Sequence, residues 1–380
     1  MKSIQFSAFT GVGILSGGII GAGVFALPYV TLQVGLIPAF GYLALGTIAF
    51  SIVHKMYADI VLGMPGKHRF VGYLERYLGK SFFVPGIFMA VLQTILTLLI
   101  YLVLAKTFIV IIAPTLNPLY ATILFWAIGS VMLFVSLRKL AAAESFATIG
   151  ILCIIGTIFG YGITHPASAL ASPIVFGGNF LLPLPVILFA LAGRAGVIPV
   201  LDELRAAGGL ARSPHVVRTV LTAGTVLPAV LYSMFILGVL ALSPRVSPDS
   251  ITGLVGNMPP VLLFAIGILG LLSLLSSYLL SGVDVNNTLR YDFKIGIFWR
   301  ILLVVVAPLG LYLLGLTSFI GLISFVGGIF LSIEGILIVV MWLRARRVGA
   351  LGGIVRLRST GAVWLIILLF VVALIAVLIG

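Results

Sequence analysis

The chain is short of charge, cysteine and histidine: of its 380 residues only 8% are Asp, Glu, Lys or Arg, one is cysteine and four are histidine. A soluble domain carries roughly 25% charge. So little charge beside 62% hydrophobic residues excludes a soluble fold and indicates an integral membrane protein. The one cysteine, Cys153, lies in an apolar segment, which excludes a disulfide framework and a thiolate metal site and leaves a small packing residue. His54, His68, His165 and His215 fall near span ends or in connections. With no H-E-x-x-H spacing and no paired acid and base within a span, a membrane-embedded enzyme is disfavoured. Lys2, Ser3 and Gln5 run straight into a long apolar stretch without a small-residue cleavage site, so the N-terminus is expected to be a retained first span.

What the chain has instead is long hydrophobic runs. Spans of about 20 residues or more are expected near 8–33, 36–62, 83–113, 118–137, 145–164, 176–205, 216–242, 258–290, 297–313, 316–343 and 361–379. The net charge of +13 points away from nucleic acid once its distribution is read. Alternate connections collect Lys2; Lys55, Lys67, Arg69, Arg76 and Lys80; Arg138 and Lys139; Arg205, Arg212 and Arg218; Arg290, Lys294 and Arg300; and Arg344, Arg346, Arg347, Arg356 and Arg358. The connections between them, near 30–36, 114–118, 163–178, 243–257 and 313–317, contribute only Arg245. The positive-inside rule then sets the N-terminus in the cytoplasm and the C-terminus outside, in the cytoplasmic membrane. The mixed stretch Lys67 to Lys80, with Tyr73, Leu74, Tyr77 and Leu78 among charges, predicts a short interfacial helix.

Two glycine-rich breaks share Ala-Gly-Val inside apolar segments: Gly21-Ala22-Gly23-Val24-Phe25 and Gly193-Arg194-Ala195-Gly196-Val197-Ile198-Pro199. Each falls mid-span in the first helix of a five-helix half and is followed by proline, Pro28 or Pro199. An odd number of helices per half makes the second half enter with opposite polarity, so 1–164 and 176–343 are expected to form inverted repeats, with 361–379 an additional helix. An unpaired backbone group costs several kcal/mol in hydrocarbon, so a broken helix survives where its freed groups line a cavity or hold a ligand. Gly17, Gly18, Gly21 and Gly23 let the backbone unwind. The N–H groups freed on one half-helix attract a carboxylate, and the carbonyls freed on the other take a cation or an ammonium group. A zwitterionic amino acid satisfies both ends; the alternative is a glycine stripe for close helix packing.

The run Gly17-Gly18-Ile19-Ile20-Gly21-Ala22-Gly23-Val24-Phe25-Ala26-Leu27-Pro28-Tyr29 resembles the first-helix signature of amino acid permeases in the amino acid–polyamine–organocation superfamily. The likeness is nearest to aromatic amino acid permeases and their amino acid/auxin permease relatives. Leu184 to Pro199 is similar to their sixth helix, and Ser276-Ser277-Tyr278-Leu279 with Asp284 to their eighth. The resemblance implies an all-α bacterial leucine transporter fold, a 5+5 inverted repeat with discontinuous helices one and six and about eleven transmembrane helices. It also implies substrate bound between helices one, three, six and eight, at Gly18, Ile20, Gly21, Ala22 and Gly23 with Phe189, Ala190, Ala192, Gly193 and Arg194. By the same resemblance, the carbonyls of Gly17 and Ile20 with Ser273, Ser276 and Ser277 would hold a sodium ion, the only metal or cofactor expected. The serine spacing i, i+3, i+4 independently puts the three on one helix face, although serines in membrane helices commonly bond their own backbone.

Charges within spans default to functional hypotheses. Arg194 stands in the sixth-helix break, where related eukaryotic carriers tend to have histidine. There it binds an acidic side chain or replaces a coupling cation, or else it reaches toward the cytoplasm and donates to free carbonyls. Glu334, in apolar surroundings, is the leading proton-coupling candidate, unless it pairs with Arg194 or Lys106. Asp284, with Asn286 and Asn287, reads as a gate or capping network near Arg290. Gln93, Thr94, Thr97 and Tyr101 form a polar stripe on helix three, with Thr97 and Tyr101 as substrate contacts, and Phe189 is a lid or a core residue. The reading is a sodium- or proton-coupled importer of a neutral or aromatic amino acid. Its rival is a transporter-fold sensor that binds without transport; a channel is disfavoured for want of a filter-like repeat.

Overall fold

The computed structural model describes residues 2–64, 68–133, 140–167, 179–207, 213–355 and 359–379, so Lys67, Arg138, Lys139, Arg212, Arg356, Arg358 and the stretch 176–178 lie outside it. Proline and glycine set most helix ends. The first span is α1 (Lys2–Ile19), a 3-10 turn at Ala22–Ala26 and α2 (Leu27–Val34), with Pro28 in a first turn where its missing N–H costs nothing. Gly35, at φ 91°, reverses the chain within one residue into α3 (Leu36–Gly63). Next come the short α4 (Phe70–Leu78), then α5 (Phe83–Ile112), α6 (Pro118–Met132), capped by the Asn117 side chain on Leu119 N–H, and α7 (Leu140–Thr164).

The sixth span is two half-helices, α8 (Pro183–Leu191) and α9 (Arg194–Ala206), followed by α10 (Pro214–Leu242) and α11 (Pro260–Asn287). The ninth joins α12 (Ile297–Ile301) to α13 (Ala307–Leu313), and the tenth joins α14 (Phe319–Phe325) to α15 (Ser332–Arg347), each through a π turn; α16 (Thr360–Ile379) ends the chain. Among the described residues, seven long apolar helices, the first span bent by 52° at its break, and three shorter apolar helices account for the eleven expected spans. The protein is a multi-pass membrane protein.

Contacts across the chain sort the connections onto two faces. Arg69 reaches Thr288 and pairs with Asp284 at 3.7 Å, and Arg344 donates to the Tyr77 carbonyl, so α4 and the ends of α11 and α15 share a basic face. On the opposite face, Thr107 donates to Asp249 at 3.2 Å, which joins the end of α5 to the 243–259 connection. The expected interfacial helix is α4, which buries Phe70, Val71, Tyr73, Leu74 and Leu78 beneath the third and tenth spans. Asp284, expected in a gate or capping network at this end of α11, pairs with Arg69, the residue that precedes α4.

Lipid supplies no hydrophobic force between helices, so small residues let backbones meet. Gly238 of α10 sits on the α7 backbone at Ile158 and Phe159, and Gly23 sits on Ala190. Large apolar side chains such as Phe298, Trp299, Trp364 and Leu365 face outward. One carboxylate inside a span has a purely internal role. Asp59 is fully buried in α3 and accepts from Trp342 Nε1 at 2.9 Å, Ile354 N–H at 2.8 Å and Val355 N–H at 3.3 Å, while its carbonyl accepts from Gly352 N–H. It fastens the link between the tenth and eleventh spans to the second.

Candidate functional site

The two breaks cross. No Cβ fits at Gly23, where the Ala190 Cα and the Phe189 ring close in, and none fits at Gly193, where the Ile19 side chain and His54 do. The sequence folds this way because glycine stands at each point of closest approach. Gly18 faces Gly196 across the other pair of half-helices, α1 and α9. Gly21, at φ −152°, has nothing within 4 Å of where a Cβ would stand, so there is open space beside the first break.

Breaking a helix frees carbonyls at the C-terminal end of one half and N–H groups at the N-terminal end of the other. The carbonyls of Ile19, ending α1, and Ala190, near the end of α8, converge on one hydroxyl: Tyr232 of α10 lies 3.0 Å from the first and 2.8 Å from the second, its single proton shared between them. Among the described residues no backbone N–H outside α1 reaches the Gly17 or Gly18 carbonyl. The Ser16 hydroxyl donates to the Gly224 carbonyl, and Leu15 packs on Gly224, holding α1 against α10. The site therefore offers carbonyls at the C-terminal end of α1 and N–H groups at the N-terminal end of α9, the two polarities that a zwitterion fits.

Arg194, the first residue of α9, turns away from that gap. Its Nε lies 2.7 Å from Glu334 Oε1, its guanidinium stacks 4.5 Å from the Phe70 ring centroid, and the Tyr57 hydroxyl faces it. Three elements, α9, α15 and α4, meet at this pair on the basic-face side of the break. Of the two partners considered for Glu334, Arg194 and Lys106, the structure gives it Arg194.

Beyond the break, the expected residues divide. Tyr101 is buried against the hydroxyls of Ser277 and Ser281, which brings the third and eighth spans together. Thr97 donates to the Gln93 carbonyl one turn back and Thr94 to that of Ala90, so both hydroxyl protons serve their own helix. Phe189 wedges between Gly23 of the first span and Gly327 in the π turn of the tenth. Ala22 is buried beside the break and Ala192 partly so. The Gly17 face meets Thr148 of α7, and Gly150, two residues further on α7, meets Ser273 Oγ. The first and eighth spans thus touch the fifth side by side. Ser276 Oγ is buried with no hydrogen-bond partner among the described residues.

Four participants escaped the sequence reading. Tyr232 gave no signal beyond a tyrosine in mid-span, and Thr148 none beyond a threonine in an apolar run. Asp59 carried the signal of any carboxylate inside a span. His54 was placed near a span end, but it is fully buried inside α3, beside Gly193 of the sixth-span break. Thr225 already donates to the Leu221 carbonyl, so at 3.0 Å it accepts from His54 Nδ1–H, which leaves Nε2 buried and unpaired among the described residues.

No protein-family model matches the chain, and no curated protein matches it. Among solved structures it is similar to a manganese transporter from Eremococcus coleocola, at 11% identity over 99% of this chain and 86% of that one, with a TM-score of 0.68. It is similar also to the inward facing conformation of Mhp1, described as a nucleobase-cation-symport-1 family transporter, at 16% identity over 98% and 88% with a TM-score of 0.62. A third likeness is to MhsT in complex with L-phenylalanine, at 20% identity over 97% and 96% with a TM-score of 0.57. Crossed breaks in the first and sixth of eleven helices, and near-complete coverage of these transporters, establish that the chain has the bacterial leucine transporter fold, five helices and five inverted helices with one more at the end.

Proposed function

We propose that the protein is a secondary active transporter of the cytoplasmic membrane that imports a neutral or aromatic amino acid by alternating access. The observation that carries this reading is the open space at Gly21, in the break that ends α1, beside the contacts of that break with the sixth span. The α-carboxylate meets N–H groups at a half-helix N-terminus and the α-ammonium meets the carbonyls of Gly17 and Gly18, with Tyr101 and Phe189 flanking the side chain. Because Arg194 is committed to Glu334, no free guanidinium awaits an acidic side chain, which supports a neutral substrate. The sequence likeness to the amino acid–polyamine–organocation superfamily supports the same class. The repeats 1–164 and 176–343 rock against each other, with 361–379 outside them, and the basic face lies in the cytoplasm.

Sodium is the proposed driving ion, carried as a co-substrate. The carbonyls of Gly17 and Ile20 with Ser273, Ser276 and Ser277 are hard oxygen donors, and the orphaned Ser276 hydroxyl fits a ligand awaiting its cation. Thr148 joins this set from the fifth span. Glu334 serves as the partner of Arg194 in a latch on the cytoplasmic side, whose separation opens the inner path. The test is uptake of labelled amino acids into proteoliposomes under an inward sodium gradient, an inward proton gradient, or neither. Sodium-driven accumulation is expected, lost in Ser276→Ala. Specific binding without uptake or exchange in any condition would replace transport by sensing.

A further inference from the structure

A cavity of about 470 Å³ opens on the face opposite the basic one, large enough for a small organic solute. Its walls include Tyr29 of α2, Lys106 and Thr107 of α5, Asn179, Asp249 and Thr317. The two charges in that wall are in different situations. Asp249 accepts from Ser247 Oγ, Ile251 N–H, Thr252 N–H, Thr252 Oγ1 and Thr107 Oγ1, at 2.8 to 3.2 Å, so its oxygens are fully employed in folding the 243–259 connection. Lys106 is half-buried and has no hydrogen-bond or ion-pair partner among the described residues. An ammonium in a cavity wall without a protein partner keeps its three donors free for a carboxylate that enters the cavity. The neutral groups around it, the Asn179 amide and the Thr317 hydroxyl, suit the polar remainder of such a solute.

The cavity also lies on the way to the helix breaks. Lys106 is five residues beyond Tyr101 on α5, a rise of about 7.5 Å toward that face, and Tyr29 is one turn beyond Phe25. One turn before Tyr29, Phe25 packs edge-on against Phe108 at 5.3 Å and Phe235 at 5.6 Å, an aromatic cluster between Tyr29 and the first break along the chain.

We propose that this cavity is an entry site in which Lys106 captures the carboxylate of the incoming amino acid before it passes to the helix breaks. The proposal rests on the amino acid transporter reading above. The test uses the full chain in proteoliposomes, with Cys153→Ala removing the native thiol and Thr317→Cys placing a reporter on the exposed wall. An impermeant methanethiosulfonate modifies the reporter from outside. L-phenylalanine should slow modification at least threefold while L-phenylalaninol, which lacks the carboxylate, should not. Lys106→Met should remove the protection and raise the KM for uptake about tenfold with the maximal rate retained, and Lys106→Arg should restore both. Protection by the alcohol, or protection and KM unchanged in Lys106→Met, would overturn the entry site and leave transport standing. Carboxylate-dependent protection in a protein that takes up no amino acid would sink the transport reading and leave the entry site standing.

Discussion

Tyr232 shows how much of a broken-helix site can depend on one hydroxyl. It serves carbonyls of both interrupted spans, so Tyr232→Phe should leave two buried acceptors short and lower stability by about 1–3 kcal/mol. Unfolding in detergent, followed by helical circular dichroism, checks this; an unchanged midpoint would mean that the carbonyls find other donors. Asp59 makes a larger demand, because three buried N–H groups end on its carboxylate. Asp59→Ala should therefore cost at least about 3 kcal/mol, with the 348–355 link becoming protease-sensitive; resistance to cleavage would count against the fastening. At this scale the sequence was half legible. Arg194 and Glu334 stood out as costly charges and proved to be one pair. Tyr232 and Thr148 did not stand out, because their role depends on neighbours 42 or more residues away in the chain.

The elements that matter are half-helices, and their contacts are glycine contacts. Gly23→Ala should force the first and sixth breaks apart, since the added methyl would meet the Ala190 backbone, whereas Gly13→Ala on the same span meets nothing within 4 Å. Amino acid uptake should fall at least tenfold in the first and stay near wild type in the second; equal activity would contradict the crossing. The latch joins three elements in the same way. Arg194 and Glu334 are 25% and 8% exposed, so Glu334→Gln should strand a buried cation at a cost of about 3 kcal/mol. The double variant Arg194→Met with Glu334→Gln should recover most of that loss, and additive losses in the unfolding midpoints would rule out the coupling. Repeated Ala-Gly-Val made both breaks readable, because an interruption in hydrocarbon needs glycine and proline. Which break faces which was not readable, because lateral packing leaves no period in the sequence.

For the molecule as a whole, the bilayer made the fold legible. It fixes span length and segregates Lys and Arg, so eleven spans and two unlike faces follow from composition along the chain. At one position a side chain can be added without harm to the fold but with loss of function. Gly21 has negative φ and open space where its Cβ would be, so a large residue there fills the proposed substrate gap without displacing a helix. The most direct measurement is binding of labelled L-phenylalanine to purified Gly21→Leu, with its thermal unfolding recorded beside the wild type. An unfolding midpoint close to that of the wild type and binding reduced at least a hundredfold are expected. A folded Gly21→Leu protein that binds the amino acid as the wild type does would show that the gap between the crossed breaks is not the substrate site.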